Sequence, residues 1–159
     1  MEMRALSQFI SSRRSFLIEA IASLFILLFV YAALSKLYEI DSFQAVLKKS
    51  PLIGDRNVLV AWTIPNVEIV VALLLLLPHT RLMGLYGSLG LMSLFTLYLG
   101  YMLAFSRDLP CSCGGVISSM TWTQHLIFNI FFTLLAWAGI WLYRKRSWKA
   151  KEESQPVYA

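Results

Sequence analysis

Four uninterrupted apolar stretches, at residues 15–37, 58–77, 82–105 and 122–143, constrain this chain more than any other feature. Each is long enough to cross a hydrocarbon core of about 30 Å as a helix, which takes roughly 20 residues. In a bilayer every backbone N–H and C=O must find a partner within the protein, so such stretches form helices and not open strands. Hydrophobic residues make up 58% of the 159 and charged residues 14%, against an apolar share of about 45–50% in soluble domains. The expected fold class is all-α: an integral membrane four-helix bundle with antiparallel neighbours. The chain shows no internal repeat. The expected division is a cytoplasmic segment at 1–14, one membrane domain at 15–143, and a basic cytoplasmic tail at 144–159.

Lysines and arginines fall unevenly around the spans. Arg4, Arg13, Arg14, Arg81, Arg144, Lys145, Arg146, Lys149 and Lys151 lie on one side, and Lys36, Lys48, Lys49, Arg56 and Arg107 on the other. The positive-inside bias then places both termini in the cytoplasm and the loop after the third span outside. Most of the net charge of +5 is this bias. It suits anionic lipid headgroups, and nucleic acid is not an expected partner. Ser12-Arg13-Arg14-Ser15-Phe16-Leu17 resembles a twin-arginine export signal, with Val30-Tyr31-Ala32 as a small-residue cleavage site. The stretch contains Glu19 and leads into three more spans, so the arginines read instead as anchors of a retained helix.

The outward loop carries both cysteines of the chain, in Pro110-Cys111-Ser112-Cys113-Gly114-Gly115. Outside the cytoplasm a cysteine pair can be oxidised and stay oxidised. A disulfide needs Cα atoms about 4.4–6.8 Å apart, which a Cys-x-Cys segment meets only when bent. Such a ring is strained, and strained, exposed disulfides are the exchange-competent ones. Arg107, and the N-terminus of the fourth helix if the loop folds over it, would lower a thiol pKa. The same spacing also suits a soft ion such as Cu(I), with Met120, Met102 or His125 as further ligands. An inert pair is the third reading.

Within the spans Glu68 stands out, a carboxyl group ten positions into the second stretch and so about 15 Å deep at 1.5 Å per residue. It should face the bundle interior, either as a neutral group bonded to a neighbouring helix near Pro65, or as a proton relay or cofactor-headgroup contact. His125 and Asn129, four apart, share a face of the fourth helix, and His125 lies about one turn inside on the cysteine side. It is either an interhelical hydrogen-bonding residue or a proton acceptor for the thiols. Gly84, Gly87 and Gly90, with Ser88 and Ser93, give the third helix a small-residue surface for close packing. Between the first two spans, Asp41 as N-cap, apolar Phe43, Val46 and Leu47, and Pro51 and Gly54 as stops predict a short surface helix.

Ser35-Lys36-Leu37, Pro65-Asn66-Val67-Glu68 and Cys111-Ser112-Cys113-Gly114, in this order over residues 15–142, resemble the methylamine-utilisation MauE family and its DoxX-like relatives. The resemblance implies a four-helix, multi-pass protein of the bacterial inner membrane. Family members are associated with maturation of a disulfide-rich enzyme subunit alongside a thioredoxin-like partner, and DoxX-type relatives with quinone-coupled sulfur oxidation. By resemblance Cys111 and Cys113 form a redox pair, Glu68 is the intramembrane polar residue, and the reaction class is thiol–disulfide exchange with a thioredoxin-like protein or disulfide-containing client. On this reading His125 acts as base and Glu68 handles protons at a quinone headgroup. Where relatives carry an aromatic after Cys-x-Cys-Gly, this chain has Gly115. A Cu(I)-type carrier built on Cys111, Cys113, Met120 and His125, and a non-catalytic membrane scaffold, are the alternatives.

Overall fold

The computed structural model describes the backbone at residues 2–50, 52–105 and 121–153, and side chains at 13–50, 52–105, 121 and 123–145. Pro51, Arg107, the Cys111/Cys113 segment and Met120 lie outside the described residues. Five α-helices follow one another: α1 (Glu2–Tyr38), α2 (Ile40–Lys48), α3 (Asn57–Leu76), α4 (Arg81–Phe105) and α5 (Trp122–Glu153), with a 3₁₀ turn at Gly54–Arg56. Among the described residues there are no strands. Four of these helices are long and apolar enough to cross a membrane, at Arg13–Tyr38, Gly54–Leu76, Arg81–Phe105 and Thr123–Lys145. The chain is an all-α, multi-pass membrane bundle. Segment 1–14 is helical from Glu2 and continues straight into the first span.

The four long helices close a ring, α1 packing on α3, α3 on α4, α4 on α5 and α5 back on α1. Phe25 and Phe29 of α1, Leu75 of α3, Leu85 of α4 and Ala136 of α5 meet at its centre, all fully buried. Phe25 stacks on Phe29 at 5.7 Å and meets Phe132 edge-on at 5.4 Å, geometries that the ring quadrupoles favour. Outer faces are also apolar: Leu27, Leu97, Phe131 and Trp137 are each more than half exposed, as lipid contact requires.

Helix ends follow local chemistry. Thr121-Trp122-Thr123-Gln124 forms a capping box at the start of α5: Gln124 N donates to Thr121 Oγ1 (3.3 Å) and Thr121 N to Gln124 Oε1 (3.0 Å), satisfying two otherwise orphaned donors. The short helix between the first two spans is present as α2, with Leu47 buried, and it packs on α3. Its N-cap is Glu39 and not Asp41, which lies in the first turn, and no side chain caps it. Gly54 sits at φ +48°, a left-handed conformation that glycine adopts at little cost.

Small residues on α4 bring it against α3. A Cβ at Gly84 would stand 2.8–2.9 Å from Leu75, and one at Gly87 3.0 Å from Val71. Gly90 was expected on the same packing surface, but it is exposed and a Cβ there would meet nothing within 4 Å. Six residues beyond Gly84, it has rotated about 600° at 100° per residue, away from α3.

Candidate functional site

Polar residues inside the bundle gather toward one end, where α1 finishes, α2 and α3 begin, α4 finishes and α5 begins. Glu68 comes from the middle of α3 and is fully buried. Its Oε1 accepts a hydrogen bond from Lys36 Nζ at 2.7 Å. The bond to a neighbouring helix, expected as one reading, is present: the neighbour is α1 and the partner is Lys36. Lys36 was expected as a basic residue on the outward side; its side chain turns inward and also reaches Ala32 O at 3.4 Å. Its ammonium lies 5.8 Å from the centre of the Phe95 ring on α4. The pair thus ties α1 to α3 and faces α4.

Glu68 Oε2 is buried and has no hydrogen-bond partner among the described residues. An unsatisfied buried acceptor costs about 1–3 kcal/mol, and more when charged. It calls for a donor: a proton, a water or a ligand hydroxyl.

α5 supplies the other wall. Thr121, His125, Asn129 and Thr133 recur every four residues, one turn apart, along about 18 Å of helix. His125 is half-buried and Asn129 buried. The His125/Asn129 face exists, but Asn129 Nδ2 donates to His125 O at 2.9 Å within its own helix, not across to a neighbour. The interhelical contact comes one turn deeper, where Thr133 Oγ1 lies 3.3 Å from Thr96 Oγ1 of α4. Met102, considered above as a metal ligand, is buried on α4.

Sequence reasoning singled out Glu68 and His125 and gave no role to Lys36, although Lys36 was one of the residues carrying the family resemblance. A basic residue two positions before the end of an apolar stretch reads as an interface anchor, and only the opposed acid on the next helix marks it otherwise. The capping box was missed too, although Thr-x-x-Gln before an apolar run is its sequence signature. Cys111, Cys113 and Met120 lie outside the described residues. Phe105 and Thr121, the nearest described residues on either side of them, are both at the polar end of the bundle.

The opposite end is closed by a second ion pair. Arg81 holds Glu19 through two bonds, Nη1 to Oε2 at 3.2 Å and Nη2 to Oε1 at 3.1 Å, and its Nε donates to Leu75 O at 3.3 Å. With Thr80 Oγ1 donating to Leu74 O (2.9 Å), the tight turn between α3 and α4 is bound to α1.

Against known proteins, no curated protein and no solved structure matches the chain. A family does: its model, described as "Methylamine utilisation protein MauE", matches residues 14–142, which take in all but the outermost few residues of the four spans and include the Lys36–Glu68 pair. The chain is a multi-pass membrane protein that belongs to the MauE family of methylamine-utilisation proteins.

Proposed function

We propose that the chain is a membrane thiol–disulfide exchange protein that uses Cys111 and Cys113 to trade disulfides with a thioredoxin-like protein or disulfide-containing client, coupled to the buried polar site of the bundle. The observation supporting this is positional. The Lys36–Glu68 pair, His125 and Asn129 occupy the end of the bundle from which α4 leaves and α5 returns, the connection that carries both cysteines. With the charge asymmetry of the termini, that end faces the outside of a bacterial inner membrane.

In the exchange, one cysteine thiolate attacks a partner disulfide, displacing a partner thiolate and forming a mixed disulfide; the second thiolate then attacks that bond and releases the partner. A Cys111–Cys113 disulfide forms, and the partner leaves as a dithiol with two more electrons and two more protons. In reverse, a client thiolate opens the Cys111–Cys113 bond and the client leaves oxidised, as protein maturation requires. His125 holds the proton taken from the attacking thiol. Glu68 Oε2, an acceptor without a donor, and Lys36 Nζ, a donor, complement a headgroup with hydroxyl and carbonyl oxygens, so they would hold a quinone. Such a group, when bound, would supply an acceptor for two electrons and two protons.

The test uses the full chain in membranes. A membrane-impermeant thiol reagent should label Cys111 and Cys113 only after mild reduction, and the Cys111→Ser or Cys113→Ser chain should trap a mixed disulfide with a partner. Labelling without reduction and no trapped partner would favour Cu(I)-type capture. Survival of function in the Cys111→Ser/Cys113→Ser double variant would reduce the protein to a scaffold.

A further inference from the structure

The face of α3 turned away from the bundle carries a feature that lipid does not explain. Asn66 is exposed nine residues into the 20-residue helix, about 13–15 Å from either end at 1.5 Å per residue. That is mid-depth in the hydrocarbon. Its Nδ2 donates once, to Trp62 O at 2.7 Å. Among the described residues the second N–H and Oδ1 have no bond. Thr63, exposed beside it, turns its hydroxyl back to Leu59 O at 2.7 Å and so needs no partner. Polar groups at this depth ordinarily face a bundle interior or an enclosed cavity. Asn66 faces neither, and lies instead in a shallow open groove with Leu59, Trp62, Thr63, Val67 and Val70.

The apolar residues around it are spaced for a helix. Leu59, Trp62, Asn66, Val70 and Leu73 follow one another at intervals of three, four, four and three, an average of 3.5 residues, and the four apolar ones are each more than half exposed. A stripe of that period is the seam along which two helices supercoil. An asparagine within such a seam fixes register and favours a pair of strands. An amide is also self-complementary, since the donor and acceptor that Asn66 leaves unused are what a second Asn66 offers across a two-fold axis. An acyl chain offers neither group.

We propose that this face of α3 is the interface of a two-fold homodimer, pinned at mid-membrane by reciprocal hydrogen bonds between the Asn66 amides of the two copies. Glu68, two residues on and about 200° round the helix, then lies on the far side of α3 from the dimer seam. Each copy keeps its own polar site intact.

Full-length chains carrying a C-terminal donor or acceptor fluorophore, reconstituted in phospholipid vesicles and diluted progressively with lipid, test this. Energy transfer should saturate with protein density and be competed by unlabelled chain. Asn66→Leu should move the midpoint to about tenfold higher density, the scale of two interhelical hydrogen bonds in a membrane. Asn66→Gln, which keeps the amide, should restore most of the shift, and Leu97→Ala on the exposed face of α4 should leave it unmoved. Transfer no greater than random collision at every density would overturn the proposal, as would a midpoint indifferent to Asn66→Leu. A monomeric chain whose emission is quenched by a short-chain quinone only when Trp62 is present would overturn it as well and give the face to a headgroup.

Discussion

Lys36 and Glu68 approach each other from opposite directions along antiparallel helices. In an α-helix the Cα–Cβ bond leans toward the N-terminus, so Lys36, on the last turn of α1, leans back into the bundle. Glu68, at the middle of α3, leans toward the end where α3 begins. The 2.7 Å contact between them therefore closes an axial gap that side-chain direction shortens from both sides. A lysine near the end of a membrane helix ordinarily turns outward to the interface. Lys36 turns inward because an acid waits there.

Removing one member of the pair should cost more than removing both. Lys36→Met leaves the Glu68 carboxyl buried with no donor on either oxygen. Breaking a buried pair costs about 3–5 kcal/mol, and the 20% exposure of the Lys36 side chain brings the expected loss down to about 2–3 kcal/mol. Lys36→Met/Glu68→Leu removes the stranded charge and should recover most of that loss. Thermal unfolding of the wild type, both single variants and the double variant in detergent closes the cycle; additive losses would show that the two residues are not coupled.

Gly84 and Gly90 lie on the same helix and should respond in opposite ways to the same methyl group. At Gly84 the added carbon would press on the Leu75 backbone nitrogen at 2.8 Å as well as on its side chain, and backbone cannot swing aside. Overpacking of this kind costs about 1–3 kcal/mol. At Gly90 the space is open, and Gly90→Ala should be neutral or stabilising by up to about 1 kcal/mol through lost unfolded-state freedom. Unfolding midpoints of the two variants, measured side by side, check this; equal effects would mean that α3 and α4 do not approach at Gly84.

The spans were legible in the sequence because the bilayer leaves the backbone one solution. Their edges moved by two residues or fewer, except the start of the second, which lies four residues earlier at Gly54, and Glu68 was placed inward because a lipid-facing carboxyl is too costly. What pairs with it was not legible. Lys36 and Glu68 are 32 residues apart, and nothing local to either says that their helices pack with these turns in register. Gly90 misled for a related reason: a Gly-x-x-Gly-x-x-Gly pattern drifts about 60° per step around a helix, so three glycines in a row do not share one narrow face.

Thr121 should matter to α5 out of proportion to its exposure. Its hydroxyl accepts from Gln124 N while its own N–H is bound by Gln124 Oε1, and the cap fixes where α5 starts relative to His125. Thr121→Ala should cost about 1 kcal/mol, and Gln124→Ala a similar amount, with little added in the double variant because both break one reciprocal unit. Amide hydrogen exchange in the first turn of α5 is the local readout. Unchanged protection at residues 123–125 would show that the helix start is held by something else.

Glu68→Gln separates a structural carboxyl from a working one. The amide oxygen can still accept from Lys36 Nζ, so the bundle should assemble with its spans intact, but the side chain can no longer take up and release a proton. If Glu68 handles protons at an electron-accepting headgroup, trapping of the mixed disulfide by Cys111→Ser or Cys113→Ser chains should be as efficient in the Glu68→Gln background as without it. Reoxidation of the reduced pair by added quinone should fall by about 10²–10⁴, the range for losing a positioned acid–base group. The split is what carries the meaning, since a purely structural Glu68 would lower the unfolding midpoint and leave both rates alone. Equal losses in trapping and reoxidation would point instead to a disturbed outer end of the bundle, with the carboxyl acting through the position of Lys36 and α1.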